Sequence, residues 1–247
     1  MGGYLSVSYA ERFPDRVEKL VLLSPVGVPA WNADTDKERY AAANWRFKSL
    51  ITIARSAWKM GITPMSFIRA LPEGRGKKLV DTYVFNRLHA LQDDEKRLLS
   101  DYFYNISCMP GSGEYCLQHI LRPGAYSRVA LADRIPKLDV KDVSFIYGQH
   151  DWMDVNGGME VQEKLENLKK ENAASTNCEV RVVMEAGHLL MLENPDGTNS
   201  QLAMSVDGKG KEHTIKTGQI YRNEENKLVF SQRPTKVKVG EVGKNQV

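Results

Sequence analysis

The chain has 247 residues, 42% hydrophobic and 26% charged, the balance of an ordinary globular protein with one sizeable core. Its formal net charge is +3. Residues 196–247 hold nine Lys/Arg against six Asp/Glu, which accounts for that whole excess, so bulk charge does not argue for a nucleic-acid partner. No run of about 18 apolar residues is present to form a spanning helix. The three cysteines, Cys108, Cys116 and Cys178, form no C-x-x-C pair, which points to reduced thiols and away from a structural zinc site.

Residues 2–13 read as an amphipathic helix opened by Gly2 and Gly3 and ended near Phe13-Pro14. The start, Met1-Gly2-Gly3, reads as a structured helix and not as a signal or transit peptide. Val17–Leu23 follows as a buried strand, and Ser24-Pro25-Val26-Gly27 leaves it through Pro and Gly. A short connection into a continuous apolar strand predicts a mostly parallel sheet covered by helices, hence an α/β fold.

Residues 30–125 carry no clear strand. They predict helices over about 35–60, 63–71, 76–90 and 93–105, a helical cap inserted between sheet strands. Within it Phe47, Leu50, Ile51, Ala54, Ala57 and Trp58 recur at helical spacing, and Lys48, Arg55 and Lys59 lie on a neighbouring stripe. Trp45 to Lys78 contains eight Lys/Arg and one acid. A basic amphipathic helix bearing tryptophans suits an anionic membrane surface, with Trp45, Lys48, Arg55, Trp58 and Lys59 as the contact residues. A cap helix packed on its own domain gives the same pattern.

Residues 126–137 read as a short helix returning to the sheet. Val143–Gly148 is a strand, about 158–171 a helix, and Glu179–Met184 the next strand. After Pro195 the apolar pattern fades. Residues 196–247 read as a polar, flexible or weakly structured extension, with Ile215, Ile220, Tyr221, Leu228, Val229 and Phe230 able to form a weak hairpin. The domain plan is therefore a core of residues 1–29 and 126–195, a cap of 30–125, and the extension.

Two residues at strand ends carry the chemistry. Asp151 lies three residues after Gly148, and His188 follows the next strand on a Gly-His turn. Ligands of open α/β sheets bind at the C-terminal strand ends. There a carboxylate can hold one imidazole nitrogen while the other faces a nucleophile, fixing the tautomer of a general base. Asp154, in the same loop, is the alternative acid. His150 reads as a surface residue. His89 and Asp94 repeat a His-to-Asp spacing inside the predicted cap and read as incidental.

Met1-Gly2-Gly3-Tyr4-Leu5, Leu22–Gly27, Phe145–Gly148 with Asp151–Asp154, and Ala186-Gly187-His188 with Glu193-Asn194-Pro195 together resemble one branch of the α/β-hydrolases. That branch contains lysophosphatidic-acid acyltransferases, a lipase co-activator of lipid droplets, N-acyl phospholipid lipases and a cardiolipin-specific deacylase of yeast mitochondria. The resemblance covers residues 1–195 and is weaker in the cap. It implies a glycerophospholipid acyl ester as substrate, no cofactor, and a peripheral membrane location, mitochondrial or on lipid droplets. It makes Asp151 the acid and His188 the base.

On this resemblance Met1 follows the nucleophile of a G-x-S-M-G-G signature, which implies that its N–H is an oxyanion donor. The nucleophile serine and the first strands then belong to sequence preceding Met1. The chain is expected to be a C-terminal part, inactive as given, with an open sheet edge for a protein partner to cover. Ser6 and Ser8 lie inside the helix and do not replace that serine. The branch's H-x-x-x-x-D acyl-transfer motif is represented here by His188 and Glu193, and the longer acid argues for hydrolysis over transfer. Two other readings remain: a non-catalytic lipid-surface or lipase co-activator module, and a small-molecule esterase on the same fold.

Overall fold

The structure is a computed structural model that describes residues 1–207, 217–222 and 228–232. In chain order the elements are α1 (Gly2–Arg12), β1 (Lys19–Leu23), α2 (Ala33–Ala42), α3 (Trp45–Lys59), α4 (Pro64–Ala70), α5 (Glu73–Arg87), α6 (Asp93–Cys108) and α7 (Leu117–Ile120). They continue with α8 (Leu131–Arg134), β2 (Asp142–Gly148), α9 (Val155–Lys170), β3 (Asn177–Val183), α10 (Leu190–Glu193), α11 (Pro195–Asp207), β4 (Thr217–Arg222) and β5 (Leu228–Gln232). The chain divides into two compact units, residues 1–30 with 130–247, and residues 31–129.

The first unit is built on a five-stranded sheet in the order β1-β2-β3-β4-β5. β1, β2 and β3 are parallel, with Leu22 opposite Phe145 and Phe145 opposite Val180. Alternation sends neighbouring side chains of β1 to opposite faces. Leu20 and Leu22 join Val7, Leu131, Ile135, Phe145, Tyr147, Val161 and Leu165 in the larger core. Val21 and Leu23 pack with Ile146, Val183, Ala186, Leu190 and Leu202 on the other side. Burial on both faces explains why β1 and β2 read as largely apolar runs. Cys178 packs against the larger core, whereas Cys108 is exposed.

Of the two opening glycines, Gly3 is the one the packing requires. A Cβ there would stand 2.9 Å from the Cβ of Pro25, whereas one on Gly2 would meet nothing within 4 Å. The start of α1 therefore lies against the turn that leaves β1. Ser6 and Ser8 spend their hydroxyls on the carbonyls of Gly2 and Tyr4, one turn back.

The chain past Pro195 departs from the expected flexible extension. Residues 195–207 form α11, whose Leu202 packs on the smaller core. Its start is well specified: Asn194 accepts from the N–H of Gly197, and Pro195 occupies the first helical position. Its inward side is polar, with Thr198, Gln201 and Ser205 all buried. Gln201 accepts from Arg181 at 3.3 Å, and Ser205 donates to Glu179 at 3.2 Å. Arg181 and Glu179, both on β3, pair with each other at 2.5 Å. The helix docks largely through a hydrogen-bond network, so apolar periodicity does not reveal it. The hairpin residues Ile220, Tyr221, Leu228, Val229 and Phe230 lie in β4 and β5, which pair antiparallel, with Ile220 opposite Phe230. Ile215 lies outside the described residues.

The second unit is helical. The predicted single helix over 35–60 is two, because Asn44 accepts from the N–H of Phe47 and starts α3 afresh. Its core is centred on Val80, Val84 and Leu88. No helix among the described residues is long and apolar enough to cross a membrane.

Gly148, the last residue of β2, has the tightest surroundings in the sheet. A Cβ there would lie 2.1 Å from the carbonyl oxygen of Gly187 and 2.4 Å from that of Ala186. Backbone atoms cannot move aside as a flexible side chain can. Gly148→Ala is expected to destabilise the protein by about 3 kcal/mol or more in urea unfolding. A loss under about 1 kcal/mol would mean that these two strand ends are not packed as described.

Candidate active site

Three parallel strands present their C-terminal ends side by side, and the loops that leave them carry the candidate residues. The close approach at Gly148 lets the two loops hydrogen-bond. Gln149 donates its N–H to Val183 and His150 to Ala186, both at 2.9 Å. The Gln149 side chain accepts from the N–H of Glu185 at 2.9 Å. The turn after β3 is thus tied to the turn after β2 at three points.

Across this joint Asp151 Oδ1 meets His188 Nδ1 at 3.0 Å. Oδ1 also accepts the N–H of Met153 at 3.0 Å. The Asp151 side chain is only 2% exposed and that of His188 34%. The acid is therefore buried while the imidazole reaches solvent. Burial works to raise the Asp151 pKa, but the hydrogen bond from His188, with help from Ser24 and Met153, holds it below the ordinary value. An ionised carboxylate on Nδ1 selects the tautomer with the proton on Nδ1 and leaves Nε2 as the basic nitrogen.

Asp154, the alternative acid, is exposed and caps α9, accepting the N–H of Asn156 at 3.0 Å. The acid that the fold places on His188 is Asp151. An aspartate immediately before a helix is an N-cap signal, and it distinguishes the two acids on inspection of the sequence.

Glu193 is folded back on the histidine turn. Its Oε2 accepts from the N–H of Gly187 at 2.7 Å and its Oε1 from that of Leu189 at 3.3 Å. Both N–H groups flanking His188 therefore end on one carboxylate. This geometry braces the turn that carries His188. The glycine of the Gly-His turn lies close to that carboxylate, and a Cβ on Gly187 would meet Glu193 Oε2 at 3.0 Å.

Trp152 lies against His188. Its ring centroid is 5.1 Å from that of His188, and the residue is 55% exposed. A large aromatic left in solvent beside a base offers an apolar contact to a ligand. Met1 directly precedes α1, and its carbonyl accepts the N–H of Leu5. Among the described residues no three His, Cys, Asp or Glu side chains gather as a metal site.

The expected membrane-contact residues lie in the second unit and divide into two sets. Trp45 is 72% exposed, and Lys59 is also exposed. Lys48 is half-buried over the ring of Tyr40. Arg55 pairs with Asp36 at 2.8 Å, and Trp58 donates its indole N–H to the carbonyl of Leu121. The inward stripe of α3 is Lys48, Ile51, Arg55 and Trp58, and within this unit Phe47, Leu50 and Ile53 face outward. Lys48 and Arg55 of the basic stripe are thus turned into the unit with Trp58, while Trp45 and Lys59 are exposed.

Comparison with known proteins places this geometry in context. The α/β-hydrolase fold family matches residues 1–195. The chain is 31% identical over 206 residues to a 1-acylglycerol-3-phosphate O-acyltransferase of Arabidopsis thaliana, covering 81% of this chain and 46% of that protein. It is 32% identical over 168 residues to a (lyso)-N-acylphosphatidylethanolamine lipase of Bos taurus, covering 66% and 46% respectively. A carboxylesterase of Bacillus subtilis, CesB, aligns with a TM-score of 0.43 and 20% identity over 84% of this chain and 57% of its own. The chain spans about half the length of the curated relatives it matches.

Two outcomes follow from the site geometry. Glu193→Ala leaves the buried Gly187 N–H without its acceptor and is expected to cost about 1–3 kcal/mol in thermal or urea unfolding, with Glu193→Gln costing less. Asp151 has a depressed pKa in the folded state, so its stabilising contribution is present above the unfolded carboxylate value of about 4 and is lost as pH falls through the folded value. The stability gap between the parent protein and Asp151→Asn, measured by urea unfolding, should be largest near pH 7 and narrow below about pH 4. A gap that widens in acid would contradict an ionised Asp151.

Proposed function

The chain belongs to the α/β-hydrolase fold family, and from that premise we propose that it carries the acid and base of a serine-dependent lipid hydrolase or acyltransferase. The substrate class is the acyl ester of a glycerophospholipid. One observation carries the reading: a buried carboxylate on Nδ1 of a half-exposed histidine, at the C-terminal ends of two adjacent parallel strands. The names of the acyltransferase and lipase relatives support the lipid substrate.

In this mechanism His188 Nε2 takes the hydroxyl proton of a serine as its oxygen attacks the ester carbonyl. Asp151 holds the imidazole in place and stabilises the imidazolium without taking the proton. The tetrahedral intermediate collapses, and His188 returns the proton to the departing alcohol of the lysolipid. Water or an acceptor hydroxyl then attacks the acyl-serine, again losing its proton to Nε2, and the serine is regenerated. The first acceptor gives hydrolysis and the second gives transfer.

We assign the nucleophile to sequence preceding Met1 in a longer protein, with the Met1 N–H as an oxyanion donor. The match to about half the length of the relatives supports this. So does β1, whose outer edge pairs with no strand among the described residues. Glu193, occupied with the N–H groups beside His188, fits a bracing role better than contact with an acceptor.

A second reading, a non-catalytic lipid-surface or co-activating module, is favoured by the outward Trp45, Phe47, Leu50 and Ile53 of α3. It places the protein peripherally on a lipid surface through apolar insertion as well as charge.

The native protein, isolated from its source, is tested by intact mass and by labelling with a fluorophosphonate. The catalytic reading predicts a mass above that of 247 residues, a labelled serine upstream of Met1, and at least a 1,000-fold loss of phospholipid turnover, on the order of other triad deletions, in His188→Ala. A native protein of 247 residues that takes no label contradicts it.

A further inference from the structure

Ser24 ends β1 in an unusual way. Its N–H still follows the sheet, donating to the carbonyl of Ile146 at 2.9 Å. Its backbone then turns to φ 42°, a left-handed conformation that costs any residue with a Cβ. The residue is 7% exposed, and its Oγ is buried without a hydrogen-bond partner of normal geometry.

The side chain stands beside the Asp151 carboxylate. That carboxylate has one oxygen fully used and one idle. Oδ1 holds His188 Nδ1 and the Met153 N–H, while Oδ2 is buried with no partner. A buried donor without an acceptor and a buried anionic oxygen without a donor are each costly, and a Ser24 hydroxyl turned toward Asp151 relieves both. A hydroxyl can rotate its proton toward the oxygen beside it.

We propose that Ser24 is a positioning residue for the His188–Asp151 pair: its hydroxyl donates to Asp151 Oδ2 and keeps Oδ1 turned toward His188 Nδ1. The strained backbone at Ser24 brings that hydroxyl to the acid. Ser24 touches no substrate in this role and acts through the carboxylate. That His188 acts as a base rests on the function proposed above, but the Ser24–Asp151 contact does not.

Other titratable groups lie around Asp151. His188 comes from the loop after β3, and Tyr147 comes from β2. Burial first, then the charges of Asp151 and Asp154, push the Tyr147 phenol upward. Asp151 itself is held low against its own burial, with Ser24 among the groups that stabilise the charged form, after His188.

The test uses the native protein labelled with 13C at the aspartate side chains, with Asp151→Asn to identify the Asp151 signal. Its titration is followed by NMR in the parent, Ser24→Ala and Ser24→Gly. Both substitutions remove the hydroxyl, and glycine also relieves the strain at φ 42°. The Asp151 midpoint is expected to move upward in both variants, because a donor to the charged form is lost. Ser24→Gly should be at least as stable to urea as Ser24→Ala. If alanine prevents folding, the glycine variant decides alone. An Asp151 titration unchanged in Ser24→Gly would overturn the proposal and leave Ser24 as a backbone fit only. The readout needs no turnover, so an upward shift in a protein that proves inert upholds the contact while removing the catalytic reading.

Discussion

The contact on which the candidate site depends is the backbone of Gly148 against the carbonyls of Ala186 and Gly187. It joins the end of β2 to the turn after β3 more closely than any side chain permits. Once the two are joined, their free N–H groups and carbonyls pair across the gap. Asp151 and His188 are then brought to hydrogen-bonding distance by backbone that is already fixed. The pair is separated by 37 residues in sequence, and neither residue has a local reason to find the other.

Electrostatics follows from that placement. A carboxylate that is 2% exposed would ordinarily take up a proton more readily. Donors gathered on Asp151 reverse this and keep it charged, which in turn fixes the proton of His188 on Nδ1. The same turn is held from behind by Glu193, so acidic side chains grip the histidine loop through both its ring and its backbone. Such bracing limits the freedom of a base and leaves Nε2 aimed by the fold instead of by chance.

The core of this arrangement was legible in the sequence for a physical reason. Strands buried on both faces are largely apolar, so β1 and β2 stand out, and the glycine at the end of β2 marks close approach. The pair at the strand ends follows from that pattern. α11 was not legible, because its inward side carries Thr198, Gln201 and Ser205, the last two matched to Arg181 and Glu179 on β3. Periodicity detects apolar faces and is blind to a helix held by hydrogen bonds. The orientation of α3 is left open by the sequence for another reason. Its apolar and basic stripes both recur at helical spacing, and spacing does not say which one faces inward. Ser24 left no trace beyond a Ser-Pro turn, since a positive φ at a serine is decided by the surrounding packing.

The geometry makes Asp151 fix the tautomer of His188. Long-range 1H–15N spectra of the histidine side chains report it directly, in the native protein and in Asp151→Asn, at a pH where the imidazole is neutral. The structure predicts the Nδ1–H tautomer for His188 in the parent and its loss in the variant. An Nε2–H tautomer in the parent, or a spectrum indifferent to Asp151→Asn, would contradict it.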